Sequence, residues 1–139
     1  MKRFTLATLA AAALLTAFLM NTENATAQDK EHAKEAHAGA YRHVVIFKFK
    51  DDAPAAKVTE IVEAFKALKT KLPAIQSLEW GTNVSPENLN QGFTHVFTLT
   101  FANKAALENH YLKEPAHKEF GAMLGGVLDK AFVVDYVAQ

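Results

Sequence analysis

Two stretches decide how this chain folds: HVVIFKF, His43–Phe49, and HVFTLTF, His95–Phe101. In each, residues alternate with the two-residue period of a strand that has one covered face. That period puts His43, Val45, Phe47 and Phe49 on one side of the first strand and Val44, Ile46 and Lys48 on the other. Phe97, Leu99 and Phe101 form the matching apolar side of the second stretch. Each strand opens on a histidine, so an imidazole enters the apolar side twice at the same place.

Working outward, Val58, Ile61, Val62, Phe65, Leu68 and Leu72 recur at three- and four-residue spacing. They predict a helix with one apolar face, ended by Pro73. Asp51 or Asp52 is expected to cap its start, with Pro54 just inside it, where a missing N–H costs nothing. Leu78–Val84 reads as a second strand, turned at SPENLNQG, and Thr94–Phe101 is the third. Asn103 caps a short helix running through Tyr111. The break at KEP, Lys113–Pro115, leads into a helical stretch over Pro115–Leu128, whose end is loosened by Gly125 and Gly126, and Ala131–Val137 is the last strand.

This order predicts an α+β, ferredoxin-like βαββαβ arrangement, an antiparallel sheet with both helices on one face. The first and third strands are expected as parallel central neighbours, with the fourth strand beside the first. The uncovered face would show Val44, Ile46, Val96, Thr98 and Thr100, too apolar for water. A second copy laid against it closes a dimeric α/β barrel, so a homodimer is expected.

At 139 residues, half of them apolar, the chain holds one ordinary domain. Its 15 basic and 15 acidic residues balance, leaving no basic field for a nucleic acid backbone. The absence of cysteine excludes disulfides, thiolate metal sites and cysteine nucleophiles. Residues 1–27 read as a secretory signal peptide: Lys2 and Arg3, the apolar run Phe4–Met20, then Ala25-Thr26-Ala27 at the cleavage positions. The mature protein is therefore expected to be secreted or periplasmic, with no membrane association after cleavage. Residues 28–40, QDKEHAKEAHAGA, bury almost nothing and read as a flexible polar linker before a domain over residues 41–139. His32 and His37 in it are five residues apart, the wrong spacing for one helical face, and read as solvated.

The predicted sheet sets His43 and His95 side by side at one end of the core. The fourth strand runs antiparallel to the first, so Asp135 should come near His43. A carboxylate behind an imidazole fixes its tautomer and raises its basicity. The plain alternative is a satisfied polar contact at a strand end. Two histidines and a carboxylate are also a chemically competent set for divalent iron, zinc or manganese. No ligand spacing in the chain demands it, and neither a metal nor another cofactor is expected. His110 reads as a helix-end residue suited to the helix dipole, and Trp80 as barrel or pocket wall.

HVVIFKFKDD at the start of the domain, NVSPENLNQGFTHVFTLTF in its middle, YLKEPAHKEF in the second helical region and VVDY near the end together resemble the stress-responsive dimeric α/β-barrel (Dabb) family. The resemblance spans residues 41–137 and implies the dimeric barrel. Members of the olivetolic acid cyclase type close the ring of a linear polyketide thioester with a tyrosine and a histidine, held in a pocket between sheet and helices. By that resemblance Tyr111 and His117 match the acid/base pair, and His43 and His95 match pocket histidines. The chain departs from the cyclase motif at Glu114, where the cyclase has a histidine.

Two functional expectations follow. One is an exported protein that binds a small hydrophobic molecule in a pocket holding His43, His95 and Asp135. The other is an acid/base enzyme of cyclase or lyase type, with Tyr111 and His117 catalytic. Both require a void of at least roughly 300 Å³ between sheet and helices, whereas a purely structural protein requires none.

Overall fold

The computed structural model describes residues 39–139. The expected signal peptide lies outside the described residues, as does all of the linker before Gly39. Strand β1 is Tyr41–Phe49, helix α1 Ala55–Lys71, strand β2 Ser77–Thr82 and strand β3 His95–Phe101. Helix α2, Lys104–Ala106, continues into a π-helical turn, Leu107–Tyr111. Helix α3 is Pro115–Met123 and strand β4 is Leu128–Val137. Ahead of β1, Gly39 and Ala40 pair with Ala138 beyond the end of β4. No described helix is long and apolar enough to cross a membrane.

The four strands form one sheet in the order β2-β3-β1-β4. Every neighbouring pair is antiparallel, which corrects one expectation: β1 and β3 are not parallel. The crossover through α1 returns the chain so that β2 runs in the direction of β1. A hairpin then sends β3 back between them, antiparallel to both. The register pairs His43 with Leu99 and Phe47 with His95. His95 therefore lies four residues along the sheet from His43, about 14 Å at roughly 3.4 Å per residue.

The alternation in β1 appears as a burial pattern, with Tyr41, His43, Val45 and Phe47 buried and their neighbours only half-buried. These side chains meet Phe97, Leu99 and Phe101 of β3 and the apolar face of α1, where Ile61, Val62, Phe65 and Leu68 are buried. Phe65 is central: its ring centroid lies 4.1 Å from Phe97, 4.8 Å from Phe120 and 5.8 Å from Phe47. Burying each such ring contributes about 1.5–3 kcal/mol, so this cluster fixes how α1 and α3 lie on the sheet. Trp80 stacks on Phe97 at 6.0 Å with the Lys66 ammonium 5.6 Å from its ring, on the helix-covered side of β2.

Neither Asp51 nor Asp52 caps α1. Pro54 holds the cap position in an extended conformation, without a side-chain cap. Its carbonyl receives the first helical bonds, from Lys57 and Val58, while the two aspartates sit in a preceding turn closed by Ala53 N–H to Lys50 C=O. The cap expected at Asn103 is present, its side-chain oxygen accepting from the Ala106 N–H. α3 ends at Met123, earlier than expected, because the chain turns through Gly126, whose φ of +80° suits a residue without a Cβ. β4 starts correspondingly early, at Leu128.

The other face of the sheet carries no helix. Val44, Ile46 and Val96 are half-buried there. Beside them Phe132, Val134 and Tyr136 of β4 are 52%, 41% and 47% exposed, making an apolar strip along β1 and β4.

Candidate functional site

His43 sits on the helix-covered face because of its place in the β1 alternation, and the antiparallel register sets it opposite Asp135 of β4. The imidazole Nδ1 lies 2.6 Å from Asp135 Oδ1. Tyr41, two residues earlier on the same face, donates its hydroxyl to Asp135 Oδ2 at 3.4 Å. Burial first, and then the Asp135 carboxylate, raise the Tyr41 hydroxyl above its ordinary value. Both carboxylate oxygens are therefore engaged.

Tyr111 reaches the same place through the π-helical turn. There the Leu112 N–H bonds to the Leu107 carbonyl, five residues back, at 3.0 Å. The widened turn buries Leu107 and Tyr111 together. The Tyr111 ring lies 5.7 Å from His43 and 5.2 Å from Phe101. Glu114 N–H closes back on the Tyr111 carbonyl, and α3 begins at Pro115, whose missing N–H is harmless in a first turn. This tight reversal carries His117 to 4.4 Å from Tyr111, ring centroid to centroid.

His43, Asp135, Tyr111 and His117 together line a cavity of about 460 Å³. Val45, Phe47, Phe65 and Phe120 supply its apolar wall, and Val133, half exposed on the edge strand, stands at its mouth. The volume exceeds the roughly 300 Å³ that a small-molecule site needs. A cleft of about 490 Å³ at the end of α1 is slightly larger, but of the site residues named above it contains none. Convergent chemistry, rather than size, marks the smaller cavity. Glu114, the departure from the cyclase motif, lines that outer cleft with His110 and not the cavity.

Burial pushes the Tyr111 hydroxyl far above its ordinary value, so the ring keeps its proton. His117 is held below its ordinary value, mainly by burial and further by His43, with a bond to the Leu112 backbone opposing the drop. The site thus sets a protonated phenol beside a neutral imidazole, a donor next to a base. General acid–base chemistry requires that combination.

His95 does not join this group. The antiparallel register places it at the far end of the sheet, where its ring meets Phe49 at 5.0 Å and its Nδ1 lies 2.9 Å from Thr94 Oγ1. Burial lowers its pKa, but the cavity is elsewhere. The set His43, His95 and Asp135 is consequently not assembled. Among the described residues, no group of three or more metal-ligating side chains is placed to hold an ion. Tyr41 was not among the expected site residues, although its spacing of two from His43 puts it on the same strand face.

A family model for the stress responsive A/B barrel domain matches residues 41–138. The stress-response A/B barrel domain-containing protein HS1 of Arabidopsis thaliana is 38% identical over 102 residues, covering 73% of this chain and 93% of that protein. Olivetolic acid cyclase of Cannabis sativa is 30% identical over 100 residues, covering 72% of this chain and 98% of that enzyme. Among solved structures, hydroxynitrile lyase from Passiflora edulis superposes with a TM-score of 0.67 at 25% identity, over 72% of this chain and 94% of its own. A dimeric protein of ferredoxin-like fold from Bacteroides fragilis does so with a TM-score of 0.59 at 26% identity, over 73% and 98%.

Proposed function

The chain belongs to the stress responsive A/B barrel domain family, and from that premise we propose that it binds a small, largely apolar molecule in the cavity between sheet and helices. The observation that carries this reading is the convergence of His43, Asp135, Tyr111 and His117 at one end of an aromatic-walled void of about 460 Å³. The space opens beside the half-exposed Val133, so a small molecule can enter it from solvent. We propose also that the protein acts outside the cytoplasm as a homodimer, paired through the apolar strip of β1 and β4. The dimeric description of the Bacteroides fragilis protein supports a dimer, and the exposed apolar strip supports its placement.

A second reading, acid/base catalysis on the bound molecule, is favoured by the 4.4 Å approach of Tyr111 to His117. Here the neutral His117 ring takes a proton from the substrate, and Tyr111 donates a hydrogen bond to the oxygen on which charge develops. That two relatives of the chain are named as a cyclase and a lyase is consistent with this reading.

The test is a ligand screen by saturation-transfer NMR on the wild-type chain and on Val133→Trp, which fills the mouth. Ligands that bind the first and not the second, with both proteins folded, support the cavity as the site. Equal binding to both variants would refute it. For a bound ligand that is turned over, Tyr111→Phe and His117→Ala should leave affinity nearly intact while turnover falls by orders of magnitude.

A further inference from the structure

Resting on the cavity as a ligand site, we propose that its occupant is a neutral hydroxylated aromatic molecule of the phenol class, rather than a carboxylate or a plain hydrocarbon. Three observations lead there.

The first is charge. Among the described residues lining the cavity there is no lysine or arginine, and the one acidic side chain is Asp135. That carboxylate is already held by His43 and Tyr41. An anionic ligand would lose its water shell without gaining a lysine or arginine partner and would stand beside an acidic side chain, which disfavours it.

The second is the donor and acceptor inventory at the polar end. A carboxylate only accepts, so the His43 nitrogen facing Asp135, Nδ1, carries the proton. A neutral imidazole held in that tautomer presents Nε2 as an acceptor. The bond that opposes the drop at His117 favours the protonated ring, as a bond donated by the ring to the Leu112 carbonyl does, and this leaves its other nitrogen as an acceptor. Tyr111 keeps its proton and can donate. Two acceptors beside one donor fit a hydroxyl group, which donates to an imidazole and accepts from the tyrosine. A hydrocarbon would leave all three without partners.

The third is shape. Phe47, Phe65 and Phe120 line the opposite end of the cavity, offering faces and edges to a planar ring. A hydroxyl at one end of an aromatic body matches this polarity from end to end.

Isothermal titration of the full chain with 4-ethylphenol, ethylbenzene and 4-ethylbenzoate at pH 7 tests the proposal. The phenol is expected to bind at least tenfold more tightly than either of the others. Tyr111→Phe should erase most of that advantage while leaving the affinity for ethylbenzene unchanged, which a merely structural role for the tyrosine would not produce. Ethylbenzoate binding as tightly as the phenol, or ethylbenzene doing so, would overturn the assignment of class while leaving the cavity as a ligand site. Failure of all three probes, while other molecules found in the screen are blocked by Val133→Trp, would overturn the class alone. Failure of all three when the screen also finds nothing would overturn both.

Discussion

Replacing Asp135 with alanine isolates the contact on which the polar end of the cavity is built. The 2.6 Å bond from His43 Nδ1 joins a buried imidazole to a carboxylate whose side chain is 33% exposed. Hydrogen bonds to charged groups contribute about 1.5–3 kcal/mol. Water reaching the open side of Asp135 compensates part of this, and Tyr41 adds only a long bond of 3.4 Å. The expected loss is therefore about 1–2 kcal/mol, most of it from the His43 N–H left buried without an acceptor. Asp135→Asn keeps a neutral acceptor and should recover about half. In a His43→Phe background, which keeps a ring of similar shape but no N–H, Asp135→Ala should cost less than about 0.5 kcal/mol. Urea unfolding followed by the fluorescence of Trp80, the single tryptophan, measures the wild type and the four variants at one protomer concentration. An equal loss from Asp135→Ala in both backgrounds would refute the reasoning, because the aspartate would then act through something other than the imidazole.

Three further outcomes follow from the same geometry. Phe65→Ala removes the ring that stacks on Phe47, Phe97 and Phe120, and should destabilise the fold by about 3–5 kcal/mol in the same unfolding assay. Val134→Glu places a charge in the apolar strip of the bare sheet face, so on the proposed pairing light scattering behind size exclusion should show dimers for the wild type and protomers for the variant; a dimer that persists in the variant would place the interface elsewhere. Because burial lowers the folded-state pKa of His117, stability from its neutral ring is complete above the ordinary value of about 6.5 and declines as the pH falls through it towards the lower folded value. His95 is shifted the same way, so His117→Gln should reduce the acid-side slope of stability without abolishing it; an unchanged slope would mean the ring is not buried neutral.

Local pattern in the sequence carried the elements and their faces. Two-residue alternation assigned His43, Val45 and Phe47 to the covered side of β1, and three- and four-residue spacing found the buried side of α1. The place of His95 was not legible in this way. Alternation says which face a side chain takes but carries no sign for the direction of its neighbour, and reversing β3 moves its first residue from one end of the core to the other. The information was present one level up, in the hairpin between β2 and β3 together with the crossover through α1. The meeting of Tyr111 with His117 escaped periodicity for a different reason. Their spacing of six suits no helical face, and the contact exists because a π-turn, a reversal at Glu114 and a proline-started helix interrupt the regular geometry.

These two failures of local pattern locate the site. The cavity lies where β1 meets an edge strand that α1 does not cover, and the irregular segment between β3 and α3 closes over it. A regular helix through residues 104–123 would have put Tyr111 and His117 on different faces. The departure from ideal helix geometry is thus what brings the phenol to the imidazole. His43 and Asp135, by contrast, stand directly opposite each other in the β1–β4 ladder, so the polar end is half strand ladder and half irregular turn. A phenol held on a turn beside a pair fixed by strand register can shift to fit a ligand without disturbing the tautomer of the His43 imidazole. Ligand binding should therefore order Leu107–Pro115 and leave β1 and β4 unchanged in amide hydrogen exchange, and protection gained first in the strands would contradict this division.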